Sequence, residues 1–298
     1  MLTSNAFAVG SAICIATGSM FISELKGRVP LLQLARWQLV LAFLLTAFMS
    51  LLLGGWKTIG PWQFGYLAAS GLFGIAIAST TYYGTIYVAG PRITALLFAL
   101  TSPLALLLGY VFLGEVISAL QGLGIALVMA GVVLALDISW STIFKRAVDG
   151  DADKGSPWLG ISLGLITASG QAIGTLFARP VMATGVEPFS AMAVRSGLAA
   201  LFFLALMVFP LGRAKAPKFE IKSLVLASSS TFFGMFLGMS LLMAALHGGN
   251  VGIVSTLSSM TPVLILPLVW ARSGKRPAVS AWIGALLAIA GTALISLG

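Results

Sequence analysis

A chain of 298 residues with 59% hydrophobic and only 8% charged side chains cannot enclose its apolar surface in water, because soluble domains carry roughly 25% charged residues. Its mean hydropathy of +1.04 makes lipid the solvent. The net charge of +9 comes without a soluble basic domain, which argues against a nucleic-acid partner and for basic residues gathered in cytoplasmic loops.

A hydrocarbon core of about 30 Å takes about 20 helical residues. By that measure the chain predicts ten membrane-spanning helices. The first five cover 5–23, 31–53, 62–89, 93–113 and 118–137, and the second five cover 158–181, 188–209, 224–246, 251–271 and 279–297. The only cysteine, Cys14, lies inside the first apolar run and excludes an intramolecular disulfide framework. No Lys or Arg precedes Lys26, so this run reads as a retained span rather than a secretory signal. Connections are short and rich in Gly, Pro or charge. The exception is the polar stretch 138–157, containing KRAVDGDADKGSP, which reads as a solvated linker between units 1–137 and 158–298.

Those units are copies of one another. Arg36 and Arg195, Gly90 and Gly249, and Pro103 and Pro262 are each 159 residues apart, and after one inserted residue Gly124 matches Gly284 and Gly131 matches Gly291. A single offset held from residue 36 to the end marks a tandem duplication. With connections assigned alternately to two faces, one face collects thirteen of the seventeen Lys and Arg residues. The other holds only Lys57 and Arg179, and Arg36 and Arg195 fall within spans. The positive-inside rule then puts the linker in the cytoplasm and both termini outside. Five spans per copy is an odd number, so the copies run upside down to one another. The expected fold is an all-α integral membrane protein of two inverted five-helix repeats, a scaffold for alternating access.

The ionisable groups are few. Arg36 and Arg195 sit about 5–7 residues into their helices. They read first as interfacial arginines reaching toward headgroups or capping a neighbouring helix end, with capture of a substrate carboxylate as the sharper alternative. Glu24, Glu115, Asp137 and Glu187 fall at helix ends, so tight proton coupling through a buried carboxylate is not expected. Glu115 reads as a cap on the helix that follows it. His247, the only histidine, reads as a loop contact. No metal site, cofactor motif or catalytic constellation occurs, which argues against an enzyme.

Polar groups inside the spans carry more information. Ser79, Tyr82, Tyr83 and Ile86 recur at helical spacing in the third span. Phe98 and Thr101 follow in the fourth, Gln171 and Thr175 in the sixth, and Ser258 and Ser259 in the ninth. Small hydroxyl residues also serve as glue between helices. Gln171 and the Tyr82–Tyr83 pair belong in a cavity, because a bulky polar group facing lipid is costly. Pro103 and Pro262 each free a carbonyl one turn back and are candidate hinges.

Three features resemble the drug/metabolite transporter superfamily, and within it the ten-span EamA-type proteins. They are the span-two arginine with its repeat (Arg36, Arg195), the run ending in Thr101-Ser102-Pro103, and the Gly114-Glu115 that begins GEVISALQGLGIALVMAGVVL. Near Ser273-Gly274-Lys275 the second copy lacks the corresponding acid. The resemblance implies a secondary transporter, an exporter in a bacterial inner membrane, working on small molecules as a monomer or weak oligomer. It favours amino acids, including aromatic or apolar ones, as substrates. A drug or nucleobase exporter is the alternative within transport, and a pore-forming channel the alternative outside it.

Overall fold

The computed structural model describes residues 2–25, 29–89, 94, 97–135, 157–206, 220–261, 263–264, 267, 270–271 and 278–297. The linker up to residue 156 lies outside them. Every described element is helical. The first half contains α1 (Leu2–Glu24), α2 (Leu31–Leu53), a 3-10 turn (Gly55–Thr58) and one long helix in three parts: α3 (Pro61–Gly71), a π-helical segment (Leu72–Ile77) and α4 (Ala78–Ala89). It closes with α5 (Thr101–Leu113) and α6 (Ala119–Ala135). The second half runs α7 (Pro157–Ala183) and α8 (Pro188–Ala205), then α9 (Ile221–Ser230), a second π-helical segment (Thr231–Gly238) and α10 (Met239–Ala245). It ends with α11 (Val251–Ser258) and α12 (Val279–Leu297).

Six helices are long and apolar enough to cross a membrane, with α3–α4 and α9–α10 each acting as one. Leu97–Leu113, Ala119–Leu134 and Val279–Ile295 are shorter apolar helices. Some boundaries differ from the expected spans. α1 begins at Leu2 rather than residue 5, and α7 continues past residue 181, through Pro180, to Ala183. The ninth span turns at Ser259–Met260, and in the fourth a single turn residue, Leu100, lies within the helix Leu97–Leu113.

Local chemistry sets the ends. Gly54, Gly114 and Gly185 take positive φ just after α2, α5 and α7, the left-handed conformation that glycine adopts without strain. Pro61 and Pro188 open α3 and α8, where a missing N–H costs nothing. The Glu187 carboxylate accepts the Phe189 and Ser190 amides at 2.9 and 2.7 Å, capping α8.

The two halves interlock. α1 packs mainly against α9, the second π segment, α10 and α11, whereas α7, its counterpart, packs against α3, the first π segment, α4 and α5. Ala8, Ala12 and Ala16 form a fully buried stripe on α1. α6 and α12 cross through the glycines that mark the repeat. Gly124 lies against Gly291 and Gly131 against Gly284, so each glycine meets the counterpart of the other. Residue numbers rise along one helix and fall along the other. That reciprocity is the signature of a pseudo-two-fold axis relating inverted copies.

A polar layer closes one end. It joins the α2–α3, α5–α6, α7–α8 and α10–α11 connections, which alternate with those at the opposite end. The Ser50 and Ser190 hydroxyls bond to each other, and the Glu187 amide donates to the Thr58 hydroxyl at 3.2 Å. His247 Nε2–H donates to the Val186 carbonyl at 2.8 Å, the loop contact expected of it. Glu115 departs from its expected role. The helix after it, α6, is capped by a reciprocal pair: the Ser118 amide donates to Gln121 Oε1 and the Gln121 amide to Ser118 Oγ. Glu115 reaches across the repeats instead. It accepts the Val251 amide at the start of α11 at 2.7 Å and pairs with Arg179 Nε of α7 at 3.4 Å.

Two outcomes follow from this packing. An added Cβ at Gly124 would sit 2.6 Å from the Gly291 carbonyl oxygen, whereas Gly65 has nothing within 4 Å. Gly291→Leu is therefore expected to destabilise the fold by about 1–3 kcal/mol, read as a lowered unfolding temperature in detergent, with Gly65→Leu unchanged. Equal behaviour of the two variants would refute the close crossing. The second outcome concerns pH. Burial pushes the Glu115 carboxyl above its usual range, with the Val251 amide and Arg179 pulling it back. Such a group adds stability below its unfolded value and loses it as pH rises through the folded value. The wild type should thus lose unfolding temperature relative to Glu115→Gln as pH is raised from about 4 to about 7. Parallel profiles would show that the ion pair and cap offset the burial.

Candidate functional site

Between the interlocked halves lies a cavity of about 370 Å³, within the range of small-molecule sites. Ser79, Tyr82, Tyr83, Phe98, Thr101, Gln171, Thr175, Ser258 and Ser259 all line it, so the structure brings every candidate substrate residue to one place. Ile86, grouped with them by spacing, lies outside the residues whose side chains are described. The cavity also takes in Ile15 to Ile22 of α1 and Gln38 of α2. Leu242 of α10 and Ser255 of α11 line it as well, so the space runs along the middle of the helices between the two ends.

Both π segments border the cavity. They begin at Leu72 and Thr231, again 159 apart, and contribute Gly74, Ile75, Gly234 and Met235 to the wall. A π segment holds one residue more than the α-helix it interrupts, and such segments recur at functional sites. Each is seated by a close backbone approach from the other repeat: Gly74 against Gly174 of α7, and Gly234 against Gly18 of α1.

The polar lining divides into two kinds. The Thr175 hydroxyl donates to the Gln171 carbonyl at 2.9 Å, and Ser258 and Ser259 donate to the Ser255 carbonyl at 3.0 and 2.7 Å, each within its own helix. Ser259 also bonds Ser102 at 2.8 Å, and Thr81 bonds Thr167 at 2.7 Å, joining the repeats. These hydroxyls hold the wall together. Tyr82 stands edge-on to both Tyr83 and Phe98, with centroids 6.0 and 5.9 Å away, and forms an aromatic corner. Thr101 differs from the other hydroxyls. It is 4% exposed, opens α5 at the cavity, and its hydroxyl has no hydrogen-bond partner.

Gln38 was not among the sequence candidates. Its amide donates to the Ser230 hydroxyl at 3.0 Å across the repeats, with both residues in the lining. The signal available was an amide well inside an apolar span, beyond Gln33 near its start. No Asp, Glu, Lys or Arg lines the cavity among the described residues.

Arg195 corrects the interfacial expectation. It is 0% exposed, so it cannot reach headgroups. Nη1 donates to the Met243 sulfur at 3.2 Å, while Nε and Nη2 have no hydrogen-bond partner. A Cβ placed on Gly74 would lie 3.2 Å from Nη2, which sets the guanidinium behind the cavity wall. Its repeat counterpart Arg36 is half-buried. Pro103 is the third residue of α5, with its ring exposed beyond the turn at Leu100. Pro262 lies outside the described residues.

No curated protein matches the sequence. A solved structure titled "Crystal structure of protein" shares the fold with a TM-score of 0.79, covering 99% of this chain and 96% of its own at 17% identity. The model of the EamA-like transporter family matches residues 2–136 and 158–297. The chain, a multi-pass membrane protein with a cavity between two repeats, belongs to the EamA-like transporter family.

Proposed function

We propose that the protein is a secondary transporter that exports small organic metabolites by alternating access, with amino acids bearing aromatic or apolar side chains as its substrates. One observation carries this reading. A cavity of metabolite size lies between the interlocked repeats, while a cross-repeat polar layer draws one end together. A carrier caught in one half of its cycle has this form, and a channel does not require it. The Tyr82, Tyr83 and Phe98 corner receives an apolar or ring-bearing body, and Gln171 and neighbouring hydroxyls meet its polar groups. On the charge bias of the connections, the end opposite the polar layer faces the cytoplasm and both termini lie outside; the resemblance to EamA-type proteins makes the membrane a bacterial inner membrane.

Flux of labelled aromatic amino acids into proteoliposomes holding the full chain should be saturable and stimulated by substrate on the opposite side. Linear flux without that stimulation would mean a channel. Gln171→Ala and Tyr82→Ala should each lower flux about tenfold, the effect of one lost hydrogen bond or ring contact, with the yield of folded protein unchanged. Normal flux in both would return these residues to a packing role. Reporter fusions at residue 298 and within the linker should read outside and cytoplasmic respectively, and a cytoplasmic C-terminus would reverse the orientation.

A further inference from the structure

We infer that Arg195 is the anchor for a carboxylate on the transported molecule, so that this carrier selects organic acids over their neutral amides. The inference rests on the transport reading and gives its substrate a chemical class. An arginine keeps its charge in nearly any environment, and an unpaired charge buried at membrane depth is costly to hold. Arg195 is fully buried with two nitrogens unbonded, and among the described residues no carboxylate pairs with it. Among the described residues its one hydrogen-bond acceptor is the weak thioether of Met243, and none supplies a counter-charge. We assign that charge to the transported molecule.

The way in is short. Gly74 lines the cavity, and Nη2 lies 3.2 Å from where its Cβ would be, so one side-chain-free layer of backbone separates the cation from the substrate space. That layer belongs to the first π segment, Leu72–Ile77, and shifting its extra residue moves Gly74 without unfolding the helix. A second observation points the same way. Thr101, in the cavity lining, is buried, and its hydroxyl has no hydrogen-bond partner among the described residues. No acidic side chain among the described residues in the lining opposes an anion.

The test uses three probes of one shape: 3-phenylpropanoate, L-phenylalanine and L-phenylalaninamide. Proteoliposomes holding the wild-type chain should move both carboxylates and move the amide at least about tenfold less, the margin expected of a lost charge-assisted hydrogen bond. Arg195→Gln should bring the carboxylates down to the level of the amide and leave the amide unchanged, and Arg195→Lys should restore part of the difference. Equal movement of amide and acids by the wild type overturns the inference while leaving the transport reading intact. A parallel loss of all three probes in Arg195→Gln makes the residue structural and overturns it too. If that variant does not fold, the wild-type ratio of acid to amide decides. If none of the probes moves, the aromatic-substrate reading falls and binding decides: 3-phenylpropanoate must raise the unfolding temperature of the wild type where 3-phenylpropanamide does not. Absence of that difference overturns the inference.

Discussion

Close backbone contact between the two repeats is the constraint on which the rest of this structure depends. Lipid tails are as apolar as leucine, so no hydrophobic force draws membrane helices together, and they associate through packing wherever small residues allow approach. Here the approaches are glycine on glycine: Gly124 with Gly291, Gly131 with Gly284, Gly74 with Gly174, and Gly18 with Gly234. Each pair joins one repeat to the other. The halves are thus not two bundles tied by a linker, since α1 is seated in the second half and α7 in the first. The cavity is what remains between them where the two π segments bow the wall.

This arrangement explains why the lining is mostly self-satisfied. Ser258, Ser259, Thr167 and Thr175 bond within or between helices, because no water reaches a polar group facing lipid or a dry crossing. What stays available includes the aromatic corner at Tyr82, the Gln171 amide, the hydroxyl of Thr101 and the charge behind Gly74. Selectivity in such a site comes from a few groups set in an otherwise inert wall.

Much of this was legible in the sequence. The constant offset disclosed the repeat, and the odd number of spans its inversion. Bulky polar residues within apolar runs marked the cavity, since hydropathy alone makes Gln171 and Tyr82 costly anywhere else. The remainder depends on which face a helix turns to which neighbour. Arg195 sits at an interfacial depth by counting along α8, yet that face is turned into the crossing with the first π segment, and depth from one end says nothing about lateral burial. Glu115 lies beside the helix it was expected to cap, but Ser118 and Gln121 already serve that end, so its carboxylate satisfies the start of α11. The π segments leave no composition signal at all. They are fixed by how many residues must fit between two tertiary contacts.

Duplication supplies symmetry, and function requires departing from it. Inverted copies that were chemically identical would close both ends with the same strength and hold both states equally. Here the copies differ where it matters. Glu115 latches one end to Arg179 and Val251, whereas the corresponding stretch at Ser273-Gly274-Lys275 carries no acid with which to build the same latch. Arg195 is sealed behind the cavity while Arg36 is half-buried. One end therefore closes through charge and hydrogen bonds drawn from both repeats, and the other must close by different contacts. That chemical difference, and not the shared scaffold, is where the two ends of the molecule cease to be equivalent.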